Sequence, residues 1–217
     1  MAKRTDHFIL MADIIRSSEA SVPADLIKRF KAVVDQANKE HPDRSLSPLT
    51  ITLGDEFQGV MASLQAAVAT IVDLEEALLR GKPQFKLRYV IVQGTISTPI
   101  VKENAHGMLG TGLTRARQTL TDLKKVRDRR FQFLLNDKRL EAQLSDCFQL
   151  FRSIVDRWDE KDKPLASAFL YMGGYREVAI GLRKDPSLMW RRRRSLRMDD
   201  YGAARRLLLS LATPARK

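Results

Sequence analysis

The sequence predicts an α+β fold followed by an all-helical region. Strand and helix patterns alternate up to about residue 140, strand patterns then stop, and short helical segments fill the rest of the chain. A chain of 217 residues is long enough for one large domain or two modest ones. We therefore predict an α+β domain over residues 1–140 and a small helical domain over residues 141–217.

The first part begins with "HFILMADI" (7–14), a near-continuous apolar run that is typical of a central strand buried on both faces. Pro23 then marks the start of a helix, because proline is favoured in the first helical turn. "LTITLGDEFQGVMA" predicts two short strands joined at Gly54–Glu56, and Ser63 is placed to cap a second helix.

"FKLRYVIVQGTIS" is the clearest strand pattern in the chain. "GTGLTRARQTLTDLKK" predicts a third helix that begins with Gly110 and Gly112, and "RFQFLLN" predicts a last strand. The resulting order is strand, helix, strand, strand, helix, strand, helix, strand. This is the order of a ferredoxin-like sandwich, in which an antiparallel sheet carries its helices on one face.

Helical patterns continue to the C-terminus, at about residues 140–157, 160–172, 175–182, 186–196 and 199–211. Positive charge is concentrated here: the chain carries a formal net charge of +12, of which residues 146–217 hold +7. Such a balance favours a polyanionic partner, nucleic acid first. The alternative is a solvated basic face.

Two further observations limit the class of protein to which the chain can belong. No apolar run reaches the ~18 residues that a membrane span needs. The single cysteine, Cys147, excludes an intramolecular disulfide. The simplest expectation is a cytoplasmic protein with no membrane partner.

Two acids are expected to converge at one edge of the sheet. Asp13 ends the first strand, and Asp55 lies in the bend of the hairpin that should pair beside it. Converging carboxylates suit Mg²⁺ or Mn²⁺, and the carbonyl of Ile14 could supply another ligand. Alternatively, Asp13 ends a strand and Asp55 is a loop acid with no ligand.

Arg16, Ser17 and Ser18 follow Asp13, just before the first helix. Hydroxyl and backbone N–H groups at a helix N-terminus form an anion site, so these residues could contact a triphosphate. The alternative is a purely local role in capping and turn formation.

These segments resemble known enzymes. "ADIIRSSE" and "TLGDEFQGV" resemble the two metal-carrying segments of class III nucleotidyl cyclases and GGDEF diguanylate cyclases, which share a palm-type fold. "LRYVIVQGTIS" and "GMLGTGLTRARQTL" resemble the later cyclase segment that completes the nucleotide site. Over nearly its whole length the chain is similar to the SatD family, from the first segment through "LGDEFQG" to a C-terminal helix–turn–helix.

The resemblance implies a palm domain with Asp13 and Asp55 as metal acids, Ile14 as the carbonyl ligand and Glu56 as the second acid of the hairpin. Gly54 is expected beside the nucleotide, although Leu53 stands where the GGDEF pattern has another glycine. The implied ligand is a nucleoside triphosphate or a cyclic nucleotide. Because cyclases of this kind often build their site between two subunits, a homodimer is also implied.

The third helix departs from the cyclase pattern. Cyclases carry an asparagine and an arginine there, and the nearest positions in this chain are Thr114 and Gln118, with Arg117 one residue out of register. Arg115 and Arg117 could still reach phosphate. Phosphate binding is therefore better supported by the resemblance than catalytic turnover is.

The segment "YREVAIGLRKDPSLMWRRRRSL" has the spacing of a helix–turn–helix, whose second helix enters the major groove of DNA. Arginines on that helix can contact phosphates or guanine edges. The residues expected at double-stranded DNA are Arg183, Lys184, Ser187, Arg191, Arg192, Arg193 and Arg194. The alternative is a helical module for protein–protein contact or dimerisation.

The combined prediction is a palm domain that binds a nucleotide and Mg²⁺, coupled to a DNA-binding helix–turn–helix in a nucleotide-responsive transcriptional or stress regulator. One alternative is an active nucleotidyl cyclase or nucleotidyltransferase that makes a signalling nucleotide. Another is a structural palm with a DNA-binding tail.

Overall fold

The computed structural model describes residues 6–127 and 129–213, and its elements follow the predicted order. The strands of this described part are β1 (Asp6–Ile14), β2 (Ser45–Ile51), β3 (Glu56–Met61), β4 (Leu87–Thr95) and β5 (Phe131–Leu134). The α-helices are α1 (Pro23–Glu40), α2 (Leu64–Leu78), α3 (Thr111–Lys124), α4 (Lys138–Val155), α5 (Lys163–Met172), α6 (Tyr175–Leu182), α7 (Pro186–Ser195) and α8 (Met198–Ala212). Within the same residues, no helix is long and apolar enough to cross a membrane.

The strands form one sheet in the order β2-β3-β1-β4-β5. The first four strands pair antiparallel in the ferredoxin-like order, as predicted. Strand β5 pairs parallel to β4 and extends the sheet at that edge, so the expectation of a wholly antiparallel sheet was wrong. The crossover through α3 explains the difference, because a parallel neighbour needs a long connection.

Both faces of the sheet are covered by helices. Leu10 and Ala12 of β1 belong to the large core that includes α1 and α2, whereas Ile9 and Met11 pack with Ala116 and other apolar residues of α3 on the opposite face. The prediction of helices on one face was therefore wrong for α3. Because both faces of β1 are buried, the central residues of this strand form a continuous apolar run.

The C-terminal helices pack onto the same large core as α1 and α2. Helix α8 contacts both α2 and α4. Tyr201 of α8 lies between the rings of Phe151 and Trp158, and its hydroxyl donates to Glu76 of α2 at 2.6 Å. The hydrophobic core is thus continuous from the sheet to α8, and a domain boundary at residue 140 stays a prediction.

A buried ion pair ties the sheet to the helices beneath it. Arg130, which precedes β5, donates to both carboxylate oxygens of Glu75 at 3.0 and 2.8 Å, and to Asp156 at 3.0 Å. The Tyr89 hydroxyl donates to the same Glu75 at 2.9 Å. Because these charged groups are mutually bonded, their burial leaves no carboxylate unpaired.

Helix α3 lies unusually close to β4, and glycines permit the approach. A Cβ on Gly94 would lie 2.7 Å from the Cα of Gly112, and one on Gly110 would lie 2.4 Å from the carbonyl oxygen of Thr95. The glycines at the start of α3 are therefore required by backbone contact. This contact sets the position of α3 over the sheet.

We expect Gly112→Ala to lower the free energy of unfolding by about 1–3 kcal/mol, because overpacking a tight contact forces backbone shifts. The new Cβ would lie 2.7 Å from Cδ1 of Ile9 and 2.8 Å from the carbonyl carbon of Gly94. Chemical denaturation measures the change. Gly202→Ala in α8 is the control, because its nearest neighbour is the movable end of Arg206 at 3.3 Å. That variant should gain rather than lose stability, and a loss in both variants would contradict the close-contact explanation.

Candidate functional site

The end of β1 lies beside the hairpin that carries Asp55 and Glu56. Asp13 and Glu56 are directly opposite in the β1–β3 register, and the N–H of Ile14 donates to the carbonyl oxygen of Asp55 at 2.9 Å. Ser17 reaches back from the loop after β1 and donates from its hydroxyl to the Asp55 carboxylate at 2.5 Å. The turn that brings Asp55 here uses Gly54 at φ 78°, a left-handed conformation that favours glycine.

Three cations surround two of these acids. Arg88 of β4 lies opposite Asp13 in register and places Nη1 3.0 Å from its Oδ2. Nζ of Lys124, at the end of α3, lies 3.3 Å from Oδ2 of Asp13 and 2.7 Å from Oε1 of Glu56. Nη1 of Arg117 lies 3.6 Å from Oε2 of Glu56. We call Asp13, Glu56, Arg88, Arg117 and Lys124 the acid–lysine cluster.

Burial and charge act in opposite directions on this cluster. Burial raises the pKa of Asp13, whose side chain is 4 % exposed, while the charges of Arg88 and Lys124 act to lower it. For Lys124, burial alone would lower the pKa, but bonds to Glu56 and Asp13 outweigh it and raise the pKa above the usual lysine value. The Lys124 ammonium therefore stays charged at neutral pH.

The predicted metal ligands do not fit a Mg²⁺ or Mn²⁺ ion in this arrangement. Such an ion needs carboxylate oxygens that are free to bind it. Here Asp13 and Glu56 are engaged by Lys124 and the two arginines. Asp55, which accepts one hydrogen bond from Ser17, is the only predicted acid without a contacting cation among the described residues, and one carboxylate does not make a site for such an ion. Within residues 6–127 and 129–213, no group of three His, Cys, Asp or Glu side chains is arranged to hold a metal.

A cavity of about 780 Å³ adjoins the same loop on the α1 side. Its wall is built from the end of β1, the loop that leads into α1, the first half of α1 and the segment before β4. The cationic lining residues are Arg16, Lys28, Arg29 and Lys82, and the apolar ones include Ile14, Val22, Leu26, Ala32 and Phe85. The cavity thus combines an apolar wall with positive charge at its rim.

Arg16 lies at the junction of the cluster and the cavity, with its backbone in the left-handed region at φ 57° and ψ 40°. A non-glycine residue is uncommon in this region, and such outliers concentrate at functional sites. The conformation directs the chain from β1 into the short turn Ser17–Glu19, and so brings Ser17 to Asp55.

The remaining residues predicted to bind a nucleotide lie in different surroundings. Arg117 joins the acid–lysine cluster, and Ser18 is exposed beside Ser17. Thr114 bonds back to the carbonyl of Gly110 at 3.3 Å, and Arg115 is exposed. Neither of the last two contacts the acids in the described part of the chain.

Sequence reasoning did not find Arg88 or Lys124. Lys124 lies seven residues after Arg117, two turns along the same face of α3, and that spacing is a usable signal. Arg88 is the polar position in the otherwise apolar pattern of "LRYVIV". The lining residues Lys28 and Lys82 have no signal in the sequence, since they meet only in the folded chain.

The predicted DNA residues also fall into two groups. Arg192 pairs with Asp162, and Arg193 pairs with Asp199 at 2.6 Å, so these two hold the helices together. Arg191 is exposed, and the guanidinium carbon of Arg194 lies 4.9 Å from the ring centroid of Trp190. Arg183, Lys184 and Ser187 are exposed around the turn between α6 and α7.

A comparison with protein families gives a match over most of the chain. Residues 7–181 match the model of the SatD family, which covers β1 through most of α6. The chain belongs to the SatD family. The family predicted from the sequence is thereby confirmed. A comparison with curated proteins gives no match.

Solved structures similar to this SatD family chain include two cyclases. A bacterial light-regulated adenylyl cyclase matches with 16 % identity and a TM-score of 0.44, over 65 % of this chain and 81 % of its own. The catalytic core of a rhodopsin-guanylyl cyclase with converted specificity, in complex with ATPαS, matches with 15 % identity and a TM-score of 0.40, over 56 % of this chain and 76 % of its own. Sequence identities and TM-scores this low give no information about the activity of this chain.

We expect Asp13→Asn to lower the free energy of unfolding by about 3 kcal/mol, because it leaves the nearby arginine charge without its acid in a buried place. The affected partner, Arg88, has a side chain that is 12 % exposed. Urea denaturation measures the loss. Asp35→Asn is the matched control, because its bond to Lys31 lies on the surface and should contribute less than about 1 kcal/mol. Equal small losses would mean that the Asp13 pair does not hold the sheet edge together.

Proposed function

We propose that this chain binds a nucleotide, with the phosphates at the loop between β1 and α1 and the base in the adjoining cavity. The observation that carries the proposal is the position of this cavity. Ile14, Ile15 and Arg16 line it directly after Asp13, so the cavity and the acid–lysine cluster share one connecting loop.

The size and walls of the cavity support a nucleotide. Its volume of about 780 Å³ lies in the range of small-molecule sites. Leu26 and Phe85 offer an apolar surface to a planar base, while Asp25 and Gln84 offer polar groups to the edge of the base. An apolar wall with a few polar groups is the usual composition of such sites.

The charges support a phosphate-bearing ligand. Four cations, on Arg16, Lys28, Arg29 and Lys82, line the cavity together with two acids, Glu19 and Asp25. Arg16 and Glu19 form an exposed ion pair at 3.8 Å, so the lining keeps an excess of positive charge, and the start of α1 borders it. Unbonded N–H groups at the start of a helix attract anions. Arg29 has a different task, because it donates to the carbonyls of Gly81 and Pro83 and so holds the cavity wall together.

The proposal requires binding and does not require turnover. Two of the residues predicted to hold Mg²⁺ or Mn²⁺, Asp13 and Glu56, are engaged by the cations of the cluster. Cyclase or nucleotidyltransferase activity stays the alternative, and chromatography of the products after incubation with the four nucleoside triphosphates distinguishes the two. A homodimer also stays a prediction, which sedimentation can test.

We expect calorimetry to detect binding of at least one nucleoside triphosphate, and Arg16→Glu with Lys28→Glu to weaken that binding at least tenfold. The reason is that both reversals place negative charge beside the phosphates. Lys39→Glu with Lys102→Glu is the control, because both residues are exposed and neither lines the cavity. No binding of any nucleoside triphosphate, or equal loss in both double variants, would contradict the proposal.

A second candidate function, binding of double-stranded DNA, is favoured by the surface around α7. Arg183, Lys184, Arg191 and Arg194 are exposed there, and none forms an ion pair among the described residues. Unpaired cations on one surface are the electrostatic requirement for contacts to DNA phosphates. In this proposal α6 and α7 act as a helix–turn–helix, and the two sites together make a nucleotide-responsive regulator.

We expect duplex DNA binding to weaken steeply with salt, and Arg191→Glu with Arg194→Glu to abolish it at 100 mM salt, because phosphate contacts release counterions. Fluorescence anisotropy with a labelled duplex measures both effects. Lys39→Glu with Lys102→Glu again controls for the change in total charge. If this control weakens binding as much as the α7 variant does, the effect comes from net charge and the α7 surface is not the DNA site.

A further inference from the structure

The ammonium group of Lys124 lies between an acid of β1 and an acid of β3, Asp13 and Glu56, both of which the resemblance to cyclases implies as metal ligands. Its Nζ contacts Oδ2 of Asp13 at 3.3 Å and Oε1 of Glu56 at 2.7 Å. We propose that Lys124 takes the place of a divalent cation at these acids, so that the chain binds its nucleotide without a metal ion held by the protein. The part that concerns the nucleotide rests on the function proposed above.

The acid–lysine cluster already carries more positive than negative charge. Its two carboxylates, on Asp13 and Glu56, contact three cations, on Arg88, Arg117 and Lys124. A divalent ion added to this set would raise its net charge from +1 to about +3, around groups that are partly buried. Because uncompensated charge is costly in such a place, a metal can enter only if a cation leaves.

The position of Lys124 is set by the fold. Lys124 is the last residue of α3, and its neighbour Leu123 is buried against the sheet. The start of the same helix is held on β4 by the contact between Gly94 and Gly112. A helix held at both ends keeps the backbone of Lys124 within reach of Asp13 and Glu56.

Two other features of the lysine agree with this role. The side chain is 37 % exposed, so the ammonium is partly withdrawn from water although its residue ends a surface helix. Its bonds to Glu56 and Asp13 join β3 to β1, as a metal bridging the same acids would, and they also attach α3 to both strands. Lysine and metal are therefore alternatives for one site.

The test is a titration of the metal-free protein with Mn²⁺ in the absence of nucleotide, with free Mn²⁺ followed by electron paramagnetic resonance. We expect no saturable binding by the unmodified protein. We expect saturable binding by Lys124→Met, at least tenfold tighter than the detection limit for the unmodified protein, because this variant lacks the one cation that contacts both acids. Lys125→Met is the matched control, because this neighbouring lysine pairs only with Asp122 on the surface in the described part of the chain. It should bind Mn²⁺ no better than the unmodified protein.

Two further variants keep the outcome interpretable. Lys124→Met combined with Asp13→Asn should lose the gained Mn²⁺ binding, which assigns the new site to Asp13. Lys124→Gln gives a second measurement if the methionine variant does not fold, as judged by its thermal unfolding. Tight Mn²⁺ binding by the unmodified protein, or no gain in either Lys124 variant, would overturn the proposal.

Nucleotide binding is then measured in excess EDTA. We expect affinity within about threefold of that measured with Mg²⁺, and loss of all binding in EDTA would overturn metal-independent binding. Failure to bind any nucleotide under either condition would instead overturn the proposed function. The Mn²⁺ titration alone would then decide whether Lys124 occupies a cation site.

Discussion

The buried carboxylate of Asp13 is the constraint on which the sheet edge depends. An ionised carboxylate with 4 % of its side chain exposed needs opposite charges in contact, because unpaired burial of charge is costly. Two elements supply them: Arg88 comes from β4, and Lys124 from the end of α3. The same lysine also pairs with Glu56, so the hairpin that carries Asp55 is held to β1 by charge as well as by the sheet.

Helix α3 connects this constraint with the rest of the fold. Its glycines allow close approach to β4, and its apolar residues cover the second face of the sheet. With α3 in this position, two of its cations, Arg117 and Lys124, lie two helical turns apart and both contact Glu56. The space between Asp13 and Glu56 is thereby filled by the Lys124 ammonium, and the loop into the cavity has cations of its own.

Much of the fold was predictable, because apolar periodicity depends on neighbours along the chain. The order of elements and the pairing of β1 with the hairpin followed from such local patterns, and this pairing is what brings Asp13 to Glu56. The side on which α3 packs was not predictable, because an amphipathic helix can cover either face. The partners of Asp13 could not be predicted from local patterns either, because Arg88 is 75 residues away along the chain and Lys124 is still further. The different roles of Arg191 and Arg192 could not be predicted either. Both are arginines, and Arg192 is engaged only because the fold brings Asp162 next to it.

Helix α2 contacts α1 beside the cavity and α8, which in turn contacts α7, so one route for coupling between the two proposed binding sites runs through it. Glu76 of α2 accepts bonds from Tyr201 at 2.6 Å and Arg205 at 3.0 Å in α8, while Arg29 at the cavity bonds to carbonyls just after the end of α2. Coupling between a nucleotide and the α7 surface would require α2 to have two arrangements that each ligand favours differently. Ile71 and Leu74 are almost completely buried, and densely packed cores resist continuous shifts. Because a shift of α2 would be costly, the coupling that the proposed regulator requires is better placed in the loop at Arg16 than in α2 or in the helices that carry the arginines.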